Sequence, residues 1–296
     1  MKVSLLDQGV SFPGIGPYRS VRETLRLARY AEDFGYERFW VAEHHGSYNT
    51  CGTPEVLLGA IAQHTKRIRL GSGTSLLPYY NPLRLATAFR LLEYLAPQRV
   101  DLAVGRGYGA RLEVAERLGY VKGDYHKQVE SLLHELEYLR SGEYPADDIA
   151  QVWMTGSSEE SATVAARLGV PYCFAQFVMP EAQPQAAQAY RGGLPDTASG
   201  CFGLGVHVIC CESASSLQDL RQMVRYTMQY SAPSDQRGGG EFGWHILVGM
   251  PAEVDDWLRE LAGLYQPDEL FVTTACPDFK LKVRSAELVG ALAAGL

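Results

Sequence analysis

The chain has six cysteines, at 51, 173, 201, 210, 211 and 276, and no C-x-x-C pair among them. That spacing excludes a zinc ribbon and a disulfide framework, and it points to a reducing compartment, the cytoplasm. No apolar run reaches the roughly 18 residues that a membrane-spanning helix needs, and the apolar patch behind Met1 is too short for a signal peptide. Basic runs are missing too. With 27 Lys and Arg against 34 Asp and Glu, the net charge of -7 argues against nucleic acid and against an anionic membrane as partners. No low-complexity tract or linker divides the 296 residues, 46% of them hydrophobic. One large core, a single domain over 1–296, is the expectation.

Strands and helices alternate along the whole chain. Val3 to Leu6 reads as a first strand, followed by a helix whose Ser20 and Glu23 have capping-box spacing and whose apolar stripe (Leu25, Leu27, Ala28, Ala31) stops at Gly35. Arg38 to Ala42 is a second strand. Thr53-Pro54-Glu55 opens another helix, with Pro at its first position. The alternation continues with strands opening at Ile68, at Val100, at 151 and at 171, and helices over 82–95, 126–140, 159–168 and 180–190. It closes with a strand over 201–211, a helix over 217–230, a polar Gly-rich loop over 231–243, a helix over 251–265, a strand over 269–274 and a helix over 279–294. Eight strands, each followed by a helix, predict a (β/α)8 TIM barrel. An open doubly wound sheet is the alternative, but it would gather its polar motifs at one switch point, whereas here they follow several strands.

In a parallel barrel the residues just past the carboxyl ends of strands build the active site. Four such stretches stand out. The apolar run 39–42 delivers Glu43, His44 and His45, groups able to move protons at neutral pH, although a strand-end His held only by structural hydrogen bonds would look the same. No metal is expected there, since adjacent His residues lack the helical two-His spacing of a zinc site. Gly71 and Gly73 within a strand pattern suggest a bulge, a twist, or the close approach of a flat ligand. Arg106 between Gly105 and Gly107 suits a phosphate or carboxylate, or pairs with a neighbouring acid. Thr155-Gly156-Ser157-Ser158-Glu-Glu-Ser161 opens a helix, so it offers either an anion cradle or ordinary N-capping, with Glu159 and Glu160 expected to face solvent. Together the four describe one barrel mouth shaped for a flat, phosphorylated cofactor, with Trp40, Tyr79, Tyr80 and Gln176 as further wall residues.

With these motifs the sequence resembles the bacterial luciferase-like flavin monooxygenases, most closely the single-subunit group 1 oxidoreductases. The segments that carry the resemblance are FWVAEHH at 39–45, RIRLGSGTSLLPYYNPL at 67–83, LAPQRVDLAVGRG at 95–107, VWMTGSSEESATVAARLGVPYCFA at 152–175 and VGMPAEVDDWLRELAGLYQPDELFV at 248–272. The resemblance implies a (β/α)8 barrel, reduced FMN supplied by a separate flavin reductase, O2 activated at the flavin ring, and a small organic substrate. It implies that His44 is the active-site His. Gly73-Thr74 would be a cis non-prolyl peptide beneath the flavin, Arg106 would bind the phosphate, and Ser157, Ser158 and Ser161 would complete its cradle. Cousins on the same barrel use the deazaflavin F420 for hydride transfer, and a flavin binder without turnover is a third reading. The family often pairs as dimers through helices near the second and third units, where Leu57, Leu58, Ile61 and Leu91 stand, side chains that suit a dimer seam and the interior equally.

The chain also departs from the pattern. Gln176 stands where group 1 members usually carry His, and the regions around 109–150 and 231–245 look shorter than usual. The second is where light-emitting members carry a long lid, so bioluminescence is not expected.

Overall fold

The computed structural model describes residues 1–12, 14–46, 49–141, 150–178, 183–213, 217–218, 220–221 and 245–296. Its strands are β1 (Lys2–Asp7), β2 (Arg38–Val41), β3 (Arg69–Leu76), β4 (Val100–Gly105), β5 (Gln151–Gly156), β6 (Tyr172–Ala175), β7 (Phe202–Cys210), β8 (Ile246–Gly249) and β9 (Glu269–Thr273). All pairings between them are parallel. β1 to β7 run in order, β7 pairs with β9, and β9 returns to β1, which closes an eight-stranded barrel. The remaining strand, β8, is an addition: His207 pairs with Ile246 of β8 on one edge and with Thr273 of β9 on the other, so β8 continues the barrel wall above β6. The fold is a (β/α)8 TIM barrel, as the alternation predicts.

Around the barrel run α1 (Pro17–Asp33), α2 (Pro54–Ala62), α3 (Pro82–Leu95), α4 (Leu112–Arg117), α5 (Tyr125–Ser141), α6 (Glu159–Arg167), α7 (Gln185–Gly193), α8 (Pro251–Tyr265) and α9 (Phe279–Ala294). Their apolar stripes pack on the outward faces of the strands in one large cluster. A smaller cluster fills the barrel: Leu6, Trp40, Ala103, Trp153, Cys173 and Phe271 all point inward. The rings of Trp40, Trp153 and Phe271 meet at 4.3–5.4 Å between centroids. This aromatic layer explains the glycines of β3. A side chain on Gly71 would stand 2.6 Å from the Trp40 indole nitrogen, and one on Gly73 would stand 2.7 Å from Leu6. The expected bulge is there as a register shift between Ser72 and Ser75.

Several local expectations are corrected. Helix α1 starts at Pro17 behind Gly16, three positions before the Ser20–Glu23 pair; Ser20 donates back to the Gly16 carbonyl and Glu23 pairs with Arg19. A Pro at the first helical position outranks a capping-box pattern one turn later. Strand β3 runs on to Leu76, and α4 and β8 are additional elements. Of the two places left open for the leucine-rich face of α2 and α3, Leu57, Leu58 and Ile61 take the core, while Leu91 is 59% exposed. The expected loop 231–243, most of the helix 217–230 and the start of the helix expected at 180 lie outside the described residues. Among the described residues no helix is long and apolar enough to cross a membrane, and the six cysteines are free.

Candidate active site

Just past β2 the chain turns through Glu43, His44 and His45. The Glu43 carboxylate is buried. It accepts from the Leu76 amide at 2.8 Å and the Tyr80 hydroxyl at 2.9 Å, and its other oxygen lies 2.7 Å from His45 Nε2. Glu43 therefore laces the ends of β2 and β3 together, and three polar partners satisfy its charge away from bulk water. The His44 amide donates to the Cys51 carbonyl at 2.8 Å. Burial pushes the His44 imidazole down to about 4 against a hydrogen bond to the Gln8 main chain, and the nearby His45 acts in the same direction. At neutral pH His44 is uncharged.

Beside His44 opens a cavity of about 360 Å³. Its inner end is apolar, walled by Leu6, Trp40, Ala42 and Phe177, with the Gln8 and Cys173 side chains among them. Gly73 and Thr74 line it, and the peptide between them is cis. The Thr74 hydroxyl donates to the Ala103 carbonyl at 2.9 Å. A side chain on Gly105 would stand 2.8 Å from Thr74 Cγ2, so the missing Cβ keeps this passage clear.

The other end is polar. Arg106, Thr155, Gly156, Ser157, Ser158 and Ser161 line it, at the amino terminus of α6. Ser158 caps that helix, accepting from the Ser161 amide at 3.3 Å, and Ser161 Oγ donates to the Ser158 carbonyl at 2.9 Å. Thr155 donates to the Val104 carbonyl at 3.4 Å. The N-capping alternative is thus realised, and the same helix end still faces the cavity beside a guanidinium. Arg106 pairs at 3.0 Å with Glu160, whose side chain is 73% exposed. An exposed pair of this kind is worth little, so Arg106 is readily exchanged to another anion.

Most of the residues expected at the mouth, Trp40 among them, thus surround one cavity. His45, Tyr79, Tyr80 and Gln176 do not line it. His45 and Tyr79 stand on the rim, with ring centroids 5.3 Å apart and edge to face. Gln176 follows β6 with its side chain buried, and its amide oxygen has no hydrogen-bond partner among the described residues. The sequence reading missed Leu6, Gln8, Cys173 and Phe177. Gln8 and Phe177 lie just past β1 and β6, so the strand-end rule reaches them once those strands are bounded. Leu6 and Cys173 are inward positions within strands, which a period of two identifies only when the register is known.

The family model of the luciferase-like monooxygenases matches residues 1–243. The N-acetyl-S-alkylcysteine monooxygenase of Bacillus subtilis (strain 168) is 30% identical over 98% of this chain and 97% of its own; the match runs over 333 positions against 296 residues here, so the relative carries insertions this chain lacks. The crystal structure of apo-MsnO8 superposes with a TM-score of 0.87 at 31% identity, covering 99% of this chain and 97% of that one. Two distant structures share the fold. The oxygenating constituent of 3,6-diketocamphane monooxygenase of Pseudomonas putida, in complex with FMN, has a TM-score of 0.72 at 17% identity over 100% of this chain and 98% of its own. An F420-dependent secondary alcohol dehydrogenase has 0.66 at 15% over 99% of each. With its family model spanning most of the sequence and its barrel shared from end to end, the chain belongs to the luciferase-like monooxygenases, a family of oxidoreductases.

Proposed function

We propose that this protein is a cytoplasmic, single-domain monooxygenase that takes reduced FMN from a separate flavin reductase and uses it with O2 on a small organic substrate. The observation that carries the reading is the polarity of one cavity: His44 and an apolar end on one side, Arg106 and the start of α6 on the other. A flat ring system with an anionic tail matches that gradient. Trp40, Leu6 and Phe177 would hold the ring out of water, and the amide end of α6, Ser157 and Arg106 would hold the phosphate.

When bound, reduced flavin supplies the electron pair that activates O2. The protein's part is to shelter and to manage one proton. A neutral imidazole has one donor nitrogen and one acceptor nitrogen. His44 with its pKa near 4 is an acceptor at neutral pH, able to take a proton from a reacting group and, once charged in a site that disfavours charge, to give it back. Glu43 acts through geometry, fixing the turn that carries His44. The apolar wall keeps the substrate side dry.

The decisive experiment is stopped-flow absorbance after mixing anaerobic protein and reduced FMN with oxygenated buffer. Sheltered flavin is expected to reoxidise more slowly than free reduced FMN. Reoxidation at the free rate overturns the reading, and a titration with F420 then decides whether hydride transfer replaces oxygenation or whether the protein only binds. A homodimer is part of the proposal, supported by the apolar side chains Val56, Leu91 and Tyr94, 68%, 59% and 57% exposed on α2 and α3. Sedimentation is expected to show a dimer that Leu91→Arg splits.

A further inference from the structure

Arg106 belongs to no strand or helix. It lies in Gly105-Arg-Gly-Tyr-Gly109, directly past β4. Three glycines give this segment wide backbone freedom, and Gly109 has a φ of 53°. Among the described residues the amides of Gly107, Tyr108 and Gly109 donate to no protein acceptor. Such a loop does not aim a guanidinium by itself. What fixes it is a set of donors from outside, all acting on its carbonyl oxygens. The Tyr120 hydroxyl donates to the Arg106 carbonyl at 2.9 Å, the Tyr79 hydroxyl to the Tyr108 carbonyl at 2.5 Å, and the His45 amide to the Gly109 carbonyl at 2.7 Å.

The donors support one another. Tyr79 and Tyr120 meet edge to face at 5.3 Å, and Tyr120 packs against Tyr108 at 4.5 Å. His45, held by Glu43, buttresses the far side of Tyr79. Burial pushes the Tyr79 phenol up to about 12, so it remains a donor across any assay pH. The result is a brace from the end of β2 to the loop that presents Arg106.

We propose that Tyr79 and Tyr120 are positioning residues that hold Arg106 for the flavin phosphate, and that this brace sets a preference for FMN over a flavin lacking the phosphate. The inference rests on the reading of the cavity's polar end given above. It assigns a purpose to Tyr79, which does not line the cavity, and to Tyr120, whose hydroxyl among the described residues donates to a main-chain carbonyl.

The test is anaerobic titration of the full-length protein with reduced FMN and with reduced riboflavin. Wild type is expected to prefer FMN. The double variant Tyr79→Phe/Tyr120→Phe keeps the stacked rings and removes both hydroxyls. Two lost hydrogen bonds are expected to weaken FMN about tenfold and leave riboflavin within about twofold. Arg106→Gln marks the floor that the FMN-to-riboflavin ratio can reach. A ratio unchanged from wild type, or an equal loss for both flavins, overturns the brace. Should the double variant fail to fold, Tyr120→Phe alone carries the test, with about a threefold loss confined to FMN. If wild type itself does not distinguish the two flavins, the phosphate assignment of the cavity fails first and the brace with it, so the two failures are told apart.

Discussion

The two ends of the barrel are made by the same strands, yet they treat charge in opposite ways. At the amino ends, Arg38 is buried between two carboxylates, 2.9 Å from Asp101 and 2.8 Å from Glu269. Arg69 adds a 2.5 Å contact to Asp101, Ser4 donates to Glu269, and the Arg38 guanidinium stacks over Trp153 at 5.0 Å. Each of these charges has a partner of opposite sign in the same chain, and only Glu269 Oε2 among their oxygens lacks a hydrogen bond among the described residues. At the carboxyl ends the pairing is partial: Asp7 and Glu43 are held by Lys282, His45 and Tyr80, but among the described residues Arg106 pairs with an exposed acid alone, and the imidazole of His44 carries no charge at neutral pH. A closed network is suited to holding strands, and an open one to taking a ligand. The amino end should therefore respond to mutation in stability, and the mouth in chemistry.

Breaking the charged network at the amino ends, the floor of the barrel, gives the largest expected effect. Arg38→Met removes the central cation and strands the buried Glu269 carboxylate, while Asp101 keeps Arg69 and the Trp40 indole, a change of about 3–5 kcal/mol. The check is urea unfolding at pH 7, with flavin affinity measured on the fraction that stays folded. Affinity within about twofold of wild type keeps the two ends separate; a parallel loss of affinity would join them. At the mouth, His44→Ala is expected to leave the unfolding midpoint and flavin affinity nearly unchanged and to lower substrate oxygenation by on the order of 100-fold. Unchanged turnover would remove His44 from the chemistry.

That division was partly legible in the sequence. Short buried strands ending in polar residues identified the mouth, because a parallel barrel leaves few places for His44, Arg106 or the Thr155–Ser161 turn to go. The floor was not legible. Arg38, Asp101 and Glu269 are far apart in sequence, and only barrel closure brings them together. The direction of single side chains was also out of reach. His45 and Gln176 follow strand ends as His44 does, yet a rotation of one residue sends them to the rim or under the wall. Strand β8 is four residues long and follows a polar, Gly-rich stretch, so no periodicity announces it.

Acid should sharpen the contrast at an intermediate scale. Burial holds His207 down to about 3, with Lys282 adding to it, and His207 Nε2 accepts from the Ala275 amide at 3.0 Å, which only the neutral ring can do. His44 is lowered in the same sense. In the unfolded chain both take a proton near 6.5, so between pH 6.5 and 4 the unfolded state binds more protons and stability falls with pH. The slope is about 1.4 kcal/mol per pH unit for each His. At Asp7 burial opposes ionisation, but the Lys282 contact at 2.8 Å prevails and lowers its pKa, adding a loss only below the ordinary carboxylate range. His207→Gln, which keeps an acceptor, is expected to flatten the slope of the unfolding free energy between pH 6.5 and 4. A slope unchanged in that variant would assign the acid sensitivity elsewhere.

The smallest effect sits where the two behaviours overlap. Ser158 caps α6 and also lines the cavity. Its role in the helix predicts that Ser158→Ala costs about 1 kcal/mol of stability. Its role at the polar end predicts a second, separable loss of FMN affinity, because the first turn of α6 is then less firmly presented to an anion. Riboflavin lacks the anion and should not register the change. Thermal unfolding and the two titrations therefore measure different things on one residue. A stability loss without any change in the FMN-to-riboflavin ratio would make Ser158 part of the scaffold alone. It would leave the guanidinium of Arg106, rather than the helix end, as what the mouth offers a phosphate.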